Sequence, residues 1–267
     1  MLSERRHRGR RPFDLSPVPG TGVADLNRRQ FEDEYLPSFA GREALRTNDQ
    51  NLEEWLAAAG MIASTFDQRS TILGLLVLGA SPRDFIPGAY VQFLRINGHD
   101  LADPIIDERV IDGPIPDMLR NLDDKLRSHN HRQIDIPERD VERRGEVYPI
   151  AALQELTRNA IAHRAYDMTN APVRVTWFGD RLEIQNPGGP FGSITADNFA
   201  QPGLTNYRNP NVAEALKVLG YVQNSATGIP TARHLLKEAG NPDIEFGVEQ
   251  THLRATVKPA PVPGKAV

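Results

Sequence analysis

Three polar side chains recur at four-residue spacing in one segment of the chain: a carboxylate at Glu155, a carboxamide at Asn159 and an imidazole at His163. At about 100° per residue, a helix places all three within an arc of roughly 80°. Gln154 and Arg158 fall on the far side, where we expect solvent. The neighbouring arc is apolar and predicts the core-facing side; it contains Ile150, Leu153, Leu156, Ala160 and Ile161. The polar stripe therefore lies beside a buried face, where a pocket can form.

The chemistry of this stripe suits a magnesium-bound phosphate chain. Glu155 can orient or deprotonate an attacking water, and the side-chain oxygen of Asn159 suits a hard cation. His163 and Arg164 can donate hydrogen bonds to phosphate oxygens. The alternative is a solvated helix face that carries ordinary i,i+4 pairs. The segment alone does not decide between the two.

A β-hairpin is predicted after this helix, with strands at 173–178 and 182–185 and a tight turn at Gly179-Asp180. It leads into Asn186-Pro-Gly188-Gly189. Consecutive glycines let the backbone approach a ligand closely, and a carboxamide can pair with the edge of a base. An ordinary turn after a strand uses the same residue types.

A third glycine-bearing segment runs from Ser225 to Pro230 and includes Thr227-Gly228. It precedes an amphipathic helix predicted from Ala232 to Ala239. The backbone N–H groups at the start of a helix are suited to bind a phosphate.

These motifs occur in the order used by the GHKL ATPases, the group that includes gyrase, histidine-kinase and mismatch-repair ATPases. At closer range, the chain resembles the RecG C-terminal-like ATP-binding family, and the resemblance runs from about Arg11 to Val257. It rests on Glu155-x-x-x-Asn159-Ala-x-x-His163-Arg164-x-Tyr166, Asn186-Pro-Gly-Gly, Arg208-Asn-Pro210 and Thr227-Gly-Ile229. Four motifs in order are far more specific than any one of them.

The resemblance implies ATP and Mg²⁺ as cofactors and a role for each motif. Glu155 is the candidate general base, Asn159 the magnesium ligand and Asn186 the adenine contact. Gly188 and Gly189 form the turn under the nucleotide. The phosphate side is lined by His163, Arg164, Thr227 and Gly228.

Two positions depart from the GHKL pattern. Asn186 replaces the usual aspartate, although asparagine is what the RecG-like family tends to show. The last loop typically reads Gly-x-Gly, and its first glycine is Ala226 here. If that position needs a positive φ, alanine costs about 1 kcal/mol or more, so phosphate closure and turnover are in question.

Composition bounds the class of protein. The chain has 267 residues, a formal net charge of -4 and no cysteine, which excludes disulfides, thiolate metal sites and a cysteine nucleophile. Its longest apolar run, Ile72 to Ala80, is too short to cross a bilayer. We therefore expect a cytoplasmic protein, and the overall charge does not indicate a nucleic-acid binder.

The N-terminus is strongly basic, in contrast to the negative net charge of the whole chain. It contains Arg5, Arg6, Arg8, Arg10 and Arg11, which form either a DNA-binding arm or a solvated tail. The stretch Arg11 to Gly20 looks like the linker that usually follows a Schlafen AlbA-type domain in this family. The chain is therefore expected to begin where such a domain ends. An AlbA-type domain, DNA and a second copy of the chain are the candidate macromolecular partners, since GHKL relatives often dimerise.

The remaining segments read as supporting structure. Helices are predicted at Leu26–Leu36 and at Leu52–Met61, the latter with Asn51 as N-cap, and an amphipathic helix at Ile115–His129. Strands are predicted at Thr71–Leu78, Tyr90–Ile96 and Ile105–Ile111, extended segments at 134–137 and 146–149, and a closing hairpin at 244–248 and 252–257. His129-Asn-His131 lacks a third ligand nearby and is expected to be exposed.

We expect an α+β fold, a GHKL (Bergerat-type) sandwich with a small N-terminal helical and linker region. The expected parts are a basic tail and linker (1–24), a helical region (25–62), the ATP-binding region (63–258, with motifs within 148–230) and a disordered tail (259–267). No P-loop motif is present, so a helicase motor is excluded. The expected function is a nucleotide-dependent switch within a regulatory or DNA-associated protein, with slow magnesium-dependent hydrolysis left open. The alternatives are a non-hydrolysing interaction scaffold and a DNA-binding transcription regulator.

Overall fold

A six-stranded mixed sheet organises the computed structural model, which describes residues 11–47, 49–134, 143–201, 203–204, 206–222 and 227–261. Its strands are β1 (Val91–Ile96), β2 (Ile105–Ile111), β5 (Val173–Trp177), β6 (Leu182–Pro187), β7 (Glu245–Val248) and β8 (His252–Val257). They lie in the order β2-β1-β5-β6-β8-β7; β1 and β5 are parallel, and the other neighbours are antiparallel. A separate pair joins β3 (His131–Ile134) to β4 (Arg143–Glu146).

The two faces of the sheet differ in polarity, as period-2 alternation requires. The inner face carries buried Val175, Trp177 and Ile184 and contributes to the hydrophobic core. Helices α7 (Ile115–His129), α8 (Ile150–His163) and α10 (Gly228–Glu238) pack together over this face. Across the outer face, Arg174, Gln185 and Arg254 lie in register on three adjacent strands and face solvent at least in part. A ligand-binding site is therefore expected on the face of the sheet that the helices cover.

The N-terminal part is helical and shares the same core. Its elements are α1 (Arg28–Gln30), a π-helical turn (Phe31–Tyr35), α2 (Leu36–Ala40), α3 (Arg42–Thr47), α4 (Leu52–Ala58), α5 (Ile72–Leu78) and α6 (Pro82–Phe85). The predicted N-cap of α4 is confirmed, because Asn51 and Glu54 cap each other's backbone N–H groups reciprocally. The basic residues 1–10 and Ala226 lie outside the described residues.

The predicted strand at Thr71–Leu78 is wrong: residues Ile72–Leu78 form helix α5, and the Thr71 hydroxyl caps it by accepting from the N–H of Gly74. Every residue of α5 is buried. A helix that is apolar on all sides loses its 3.6-residue pattern, so a short apolar run cannot be told from an interior strand by periodicity.

Several other elements are confirmed. The amphipathic helix at Ile115–His129 and the strand at Ile105–Ile111 have the predicted bounds, and both predicted hairpins form. His129 is not exposed as expected: its ring stacks on Phe93, and its Nε2 atom lies 2.8 Å from Asp107 Oδ2. Of the predicted extended segment at 134–137, residues 135–137 lie outside the described part of the chain.

These elements confirm the α+β class with helices on one face of a mixed sheet. Within the described residues, no helix is long and apolar enough to span a bilayer. The same residues contain no cluster of three or more histidine, aspartate or glutamate side chains placed to hold a metal ion.

Candidate functional site

An open cleft lies between α8, the end of β6 and the N-terminus of α10. It encloses about 1270 Å³, part of it open to solvent. Helix α9 (Pro210–Val218) and the loop that precedes it close the remaining sides. The cleft is thus walled by helices and loops and is open to solvent.

The polar stripe of α8 faces this cleft. Glu155, Asn159 and His163 all line it, because the helix packs its apolar arc against the sheet and presents the adjacent arc to the opening. Within the described residues, the Asn159 carboxamide forms no hydrogen bond. Its oxygen is therefore available to a cation or to a ligand.

Glu155 lies opposite the first residue of α10. Its Oε2 atom is 3.4 Å from the point where a Cβ on Gly228 would stand, so the carboxylate lies directly against the first turn of α10. Burial raises the pKa of the Glu155 carboxyl above its usual range, and the positive charge of Arg158 acts in the opposite direction. A carboxylate with a raised pKa is a better base toward a water molecule near neutral pH.

His163 is held in a neutral form. Its ring stacks on Tyr207 at 5.3 Å between centroids. Burial and, to a lesser extent, the charge of the nearby Arg208 guanidinium together lower the pKa of the imidazole from 6.5 to about 4. At neutral pH this side chain can donate one hydrogen bond to a ligand but brings no positive charge.

Asn186 projects from the inner face of β6 into the cleft wall. The residue is 5% exposed, and its Oδ1 atom has no hydrogen-bond partner among the described residues. A buried acceptor without a partner is uncommon in folded proteins and calls for a physical explanation. A donor supplied by a ligand would satisfy it.

The two glycines that follow Asn186-Pro187 line different cavities. Gly189 lines the cleft, and a Cβ there would stand 2.2 Å from the Gln250 carbonyl oxygen. Gly188 has a φ of +107°, packs against Ala165 and lines a second cavity on the other side. Glycine is thus required at both positions by close backbone packing, which is compatible with a turn under a ligand but does not depend on one.

Arg164 does not face the cleft, which corrects the expectation that it lines the phosphate side. The residue is 1% exposed, and its guanidinium donates to the carbonyl oxygens of Ala165, Thr169 and Ala171. The reason is local: α8 ends at His163, and Arg164 takes an extended conformation with ψ at 140°. From that residue onward, helical spacing no longer predicts direction.

Three cationic side chains that the sequence did not place in the site line the cleft: Arg158, Arg208 and Lys217. The expectation that Gln154 and Arg158 face solvent is wrong, because both bind Asp123 of α7, and Arg158 also donates to the Tyr221 carbonyl. Glu155 is the one carboxylate among the described residues of the lining, against three cations, of which Arg158 and Lys217 are also paired with Asp123 and Glu214 outside it. Such a lining favours an anionic ligand.

One wall of the cleft is apolar and aromatic, and the Arg208 guanidinium lies 4.7 Å from the centre of its Phe191 ring. This wall is contributed by the loop between Gly189 and Arg208, through Phe191, Ile194, Phe199, Leu204 and Tyr207. Ala200 in this loop has a φ of +59°, a conformation that disfavours side chains. The loop has no periodic pattern, so its apolar residues gave no signal at the sequence level. A flat apolar moiety suits this wall.

Helix α9, which supplies Ala213 and Lys217 to the cleft, is fixed at its N-terminus by two buried side chains. The Asn209 amide donates to the carbonyl oxygens of Ala162 and Arg164 at the end of α8. Asp14, which is fully buried, accepts from both nitrogens of Asn211, at 2.7 and 2.9 Å, and from the N–H of Val212. A segment almost two hundred residues away thus sets the position of a cleft wall.

A mixed sheet with helices on one face and a polar helix stripe beside a glycine turn fits an ATPase-like α+β fold. Residues 170–257 match the family model described as "Putative ATP-dependent DNA helicase recG C-terminal". The match confirms the resemblance to the RecG C-terminal-like family. It includes Asn186, the glycine turn and Gly228, whereas the Glu155 stripe lies before it.

Solved structures extend the likeness of fold to nearly the whole chain. The crystal structure of the DIP2311 protein from Corynebacterium diphtheriae superposes with a TM-score of 0.69 at 19% sequence identity. The alignment covers 97% of this chain and 50% of that chain, so this chain spans about half the length of its structural relative. A search of curated protein sequences gave no match.

Proposed function

We propose that the cleft binds an adenine nucleotide together with magnesium and that nucleotide binding switches the protein between two states. One observation carries the proposal: the buried Asn186 Oδ1 atom has no partner among the described residues, and Asn186 lines the cleft. The exocyclic amino group of adenine is a donor that would satisfy this atom. The apolar wall contributed by Phe191 and Phe199 supports the same end of the cleft as the place for a base.

The opposite end supports a phosphate chain. Gly228 begins α10, whose N-terminal N–H groups favour anions, and Lys217 adds positive charge to the cleft lining. Asn159 is the magnesium ligand that we assign, since magnesium in nucleotide sites takes few protein ligands and accepts carboxamide oxygens. When bound, magnesium would offset the negative charge of the phosphates and of Glu155.

Glu155 is the residue that we assign to hold and deprotonate a water molecule. Burial raises the pKa of its carboxyl, and its position opposite Gly228 fits a site next to the phosphate-binding end. His163, which stacks on Tyr207 beside Arg208, is assigned as a neutral hydrogen-bond donor to the ligand. We expect slow turnover at most.

Binding is tested by isothermal calorimetry with ATP and with ADP, each with and without Mg²⁺. At a ligand concentration 100 times Kd, binding adds about 2.7 kcal/mol to the free energy of unfolding, so a thermal shift of several degrees is expected. Lack of binding by the wild-type chain at millimolar ATP would contradict the proposal.

The role of Asn186 is tested by Asn186→Leu, which removes the unpaired acceptor at similar volume. Because the amide has no protein partner to lose, the free energy of unfolding should stay constant or rise, while ATP affinity should fall roughly tenfold or more. Gln185→Leu is the matched control, since Gln185 points to the outer face of the same strand. A variant that loses stability and keeps ATP affinity would assign Asn186 to structure alone.

A further inference from the structure

Strand β2 presents an open edge to solvent. It is the terminal strand of the six-stranded sheet, and β1 is its only partner within the described residues. Three of its apolar side chains are exposed: Ile105 by 54%, Ile106 by 57% and Val110 by 42%. The strand has seven residues and contains neither proline nor lysine, the residues that most often protect an edge.

We propose that β2 is the surface through which two copies of this chain associate, as an antiparallel pair with its two-fold axis at Glu108. The two sheets would then form one continuous sheet of twelve strands. This interface does not depend on the proposed nucleotide site, because β6, which carries Asn186, lies three strands away from β2.

The order of residues in β2 makes the strand complementary to itself. With the axis at Glu108, all seven residues are paired. Asp107 lies opposite the partner's Arg109 and Ile106 opposite the partner's Val110, and symmetry gives each pair twice. Opposite charges and apolar residues at directly paired positions stabilise a sheet. One like-charge pair arises, at Glu108 itself.

Neighbouring registers of the two β2 strands do not pair opposite charges and apolar residues in this way. With the axis at Asp107, two aspartates meet and Ile106 lies opposite the partner's Glu108. With the axis at Arg109, two arginines meet and Glu108 lies opposite the partner's Val110. A shift by a single residue would pair inner-face with outer-face side chains, so these are the nearest alternatives for a two-fold axis normal to the sheet. The register at Glu108 is therefore the favoured one.

The charged side chains of β2 are free to form the pairs that this register requires with a second copy of the chain. Asp107 is held by two neighbours from α7, Lys125 at 2.6 Å and His129 at 2.8 Å, and both contact its Oδ2 atom, which leaves Oδ1 for the partner's Arg109. Arg109 is exposed and forms no ion pair or hydrogen bond in the described part of the chain. On Glu108, the Oε1 atom accepts from Gln92 Nε2, and the side chain remains exposed to water, which screens the repulsion at the axis.

The oligomeric state is measured by sedimentation equilibrium of the whole chain over a range of concentrations, without nucleotide. The wild-type chain should reach twice the monomer mass. Ile106→Lys should weaken the dimer by on the order of tenfold or more, because it removes both apolar pairs. Leu101→Lys is the control: Leu101 is also exposed but lies outside the strand, so the dimer should persist.

The register is tested by cross-linking, which is direct because the chain contains no cysteine. Glu108→Cys places a thiol on the axis, where it faces its own copy, and should give a disulfide-linked dimer under mild oxidation. Ile106→Cys alone should not cross-link, but its mixture with Val110→Cys should. A wild-type monomer at all concentrations, a dimer insensitive to Ile106→Lys, or a cross-link from Ile106→Cys and not from Glu108→Cys would each overturn the proposal.

Discussion

The buried imidazole of His163 makes stability depend on pH in a defined direction. Its folded pKa is about 4, against 6.5 for an accessible histidine. The unfolded chain therefore binds this proton first, and the stabilisation that is complete above pH 6.5 is lost as the pH falls toward 4. At 1.36 kcal/mol per pKa unit, the whole effect is about 3 kcal/mol, of which about 2 kcal/mol is lost between pH 7 and pH 5.

We expect urea unfolding to show this loss as a difference between wild type and His163→Gln. Other titrating groups are common to both chains and cancel, so the free energy of unfolding should fall by about 2 kcal/mol more in the wild type between pH 7 and pH 5. Tyr207→Ala should reduce the difference, because it uncovers the ring and lets the pKa rise. Parallel pH curves for wild type and His163→Gln would refute burial as the cause.

Three further outcomes are expected. Asn159→Ala should remove the magnesium dependence of ATP affinity in calorimetry; an unchanged difference between titrations with and without magnesium would exclude it as the ligand. Glu155→Gln should retain ATP binding and lose phosphate release, because the base acts only in the reaction; retained turnover would assign the base elsewhere. Asp14→Ala should lower the free energy of unfolding by about 1–3 kcal/mol through loss of the α9 cap, with partial recovery in Asp14→Asn; equal melting temperatures would contradict a capping role.

Elements with one buried and one solvated side could be predicted from the sequence. Helix α7 has the predicted bounds, because its apolar residues recur at helical spacing and its other side is charged. The hairpin of β5 and β6 followed from alternation around a glycine turn. Helix α5 was predicted as a strand for the opposite reason. It is buried on every side, so its sequence is apolar throughout and shows no helical periodicity.

The same distinction applies to the residues of the candidate site: local spacing predicts some of them, and contacts between distant elements place the others. Glu155, Asn159 and His163 belong to one helix, and the geometry of that helix brings them to one cleft whatever the tertiary structure. Arg158 faces the same cleft because Asp123 and the Tyr221 carbonyl hold its guanidinium there. Such contacts join residues from three elements, and local spacing contains no information about them.

The identity of residue 186 fits a cleft that must be stable both with and without a ligand. At 5% exposure, an ionised carboxylate would need a partner, since burial of an unpaired charge costs several kcal/mol. A neutral amide with one unpaired oxygen costs about 1–3 kcal/mol, which a folded domain can tolerate. The amide can also both donate and accept, so it constrains a base less strictly than a carboxylate does. Asparagine therefore favours stability of the empty cleft, and the cations of the lining, Arg208 and Lys217, are left to supply the charge that attracts a nucleotide.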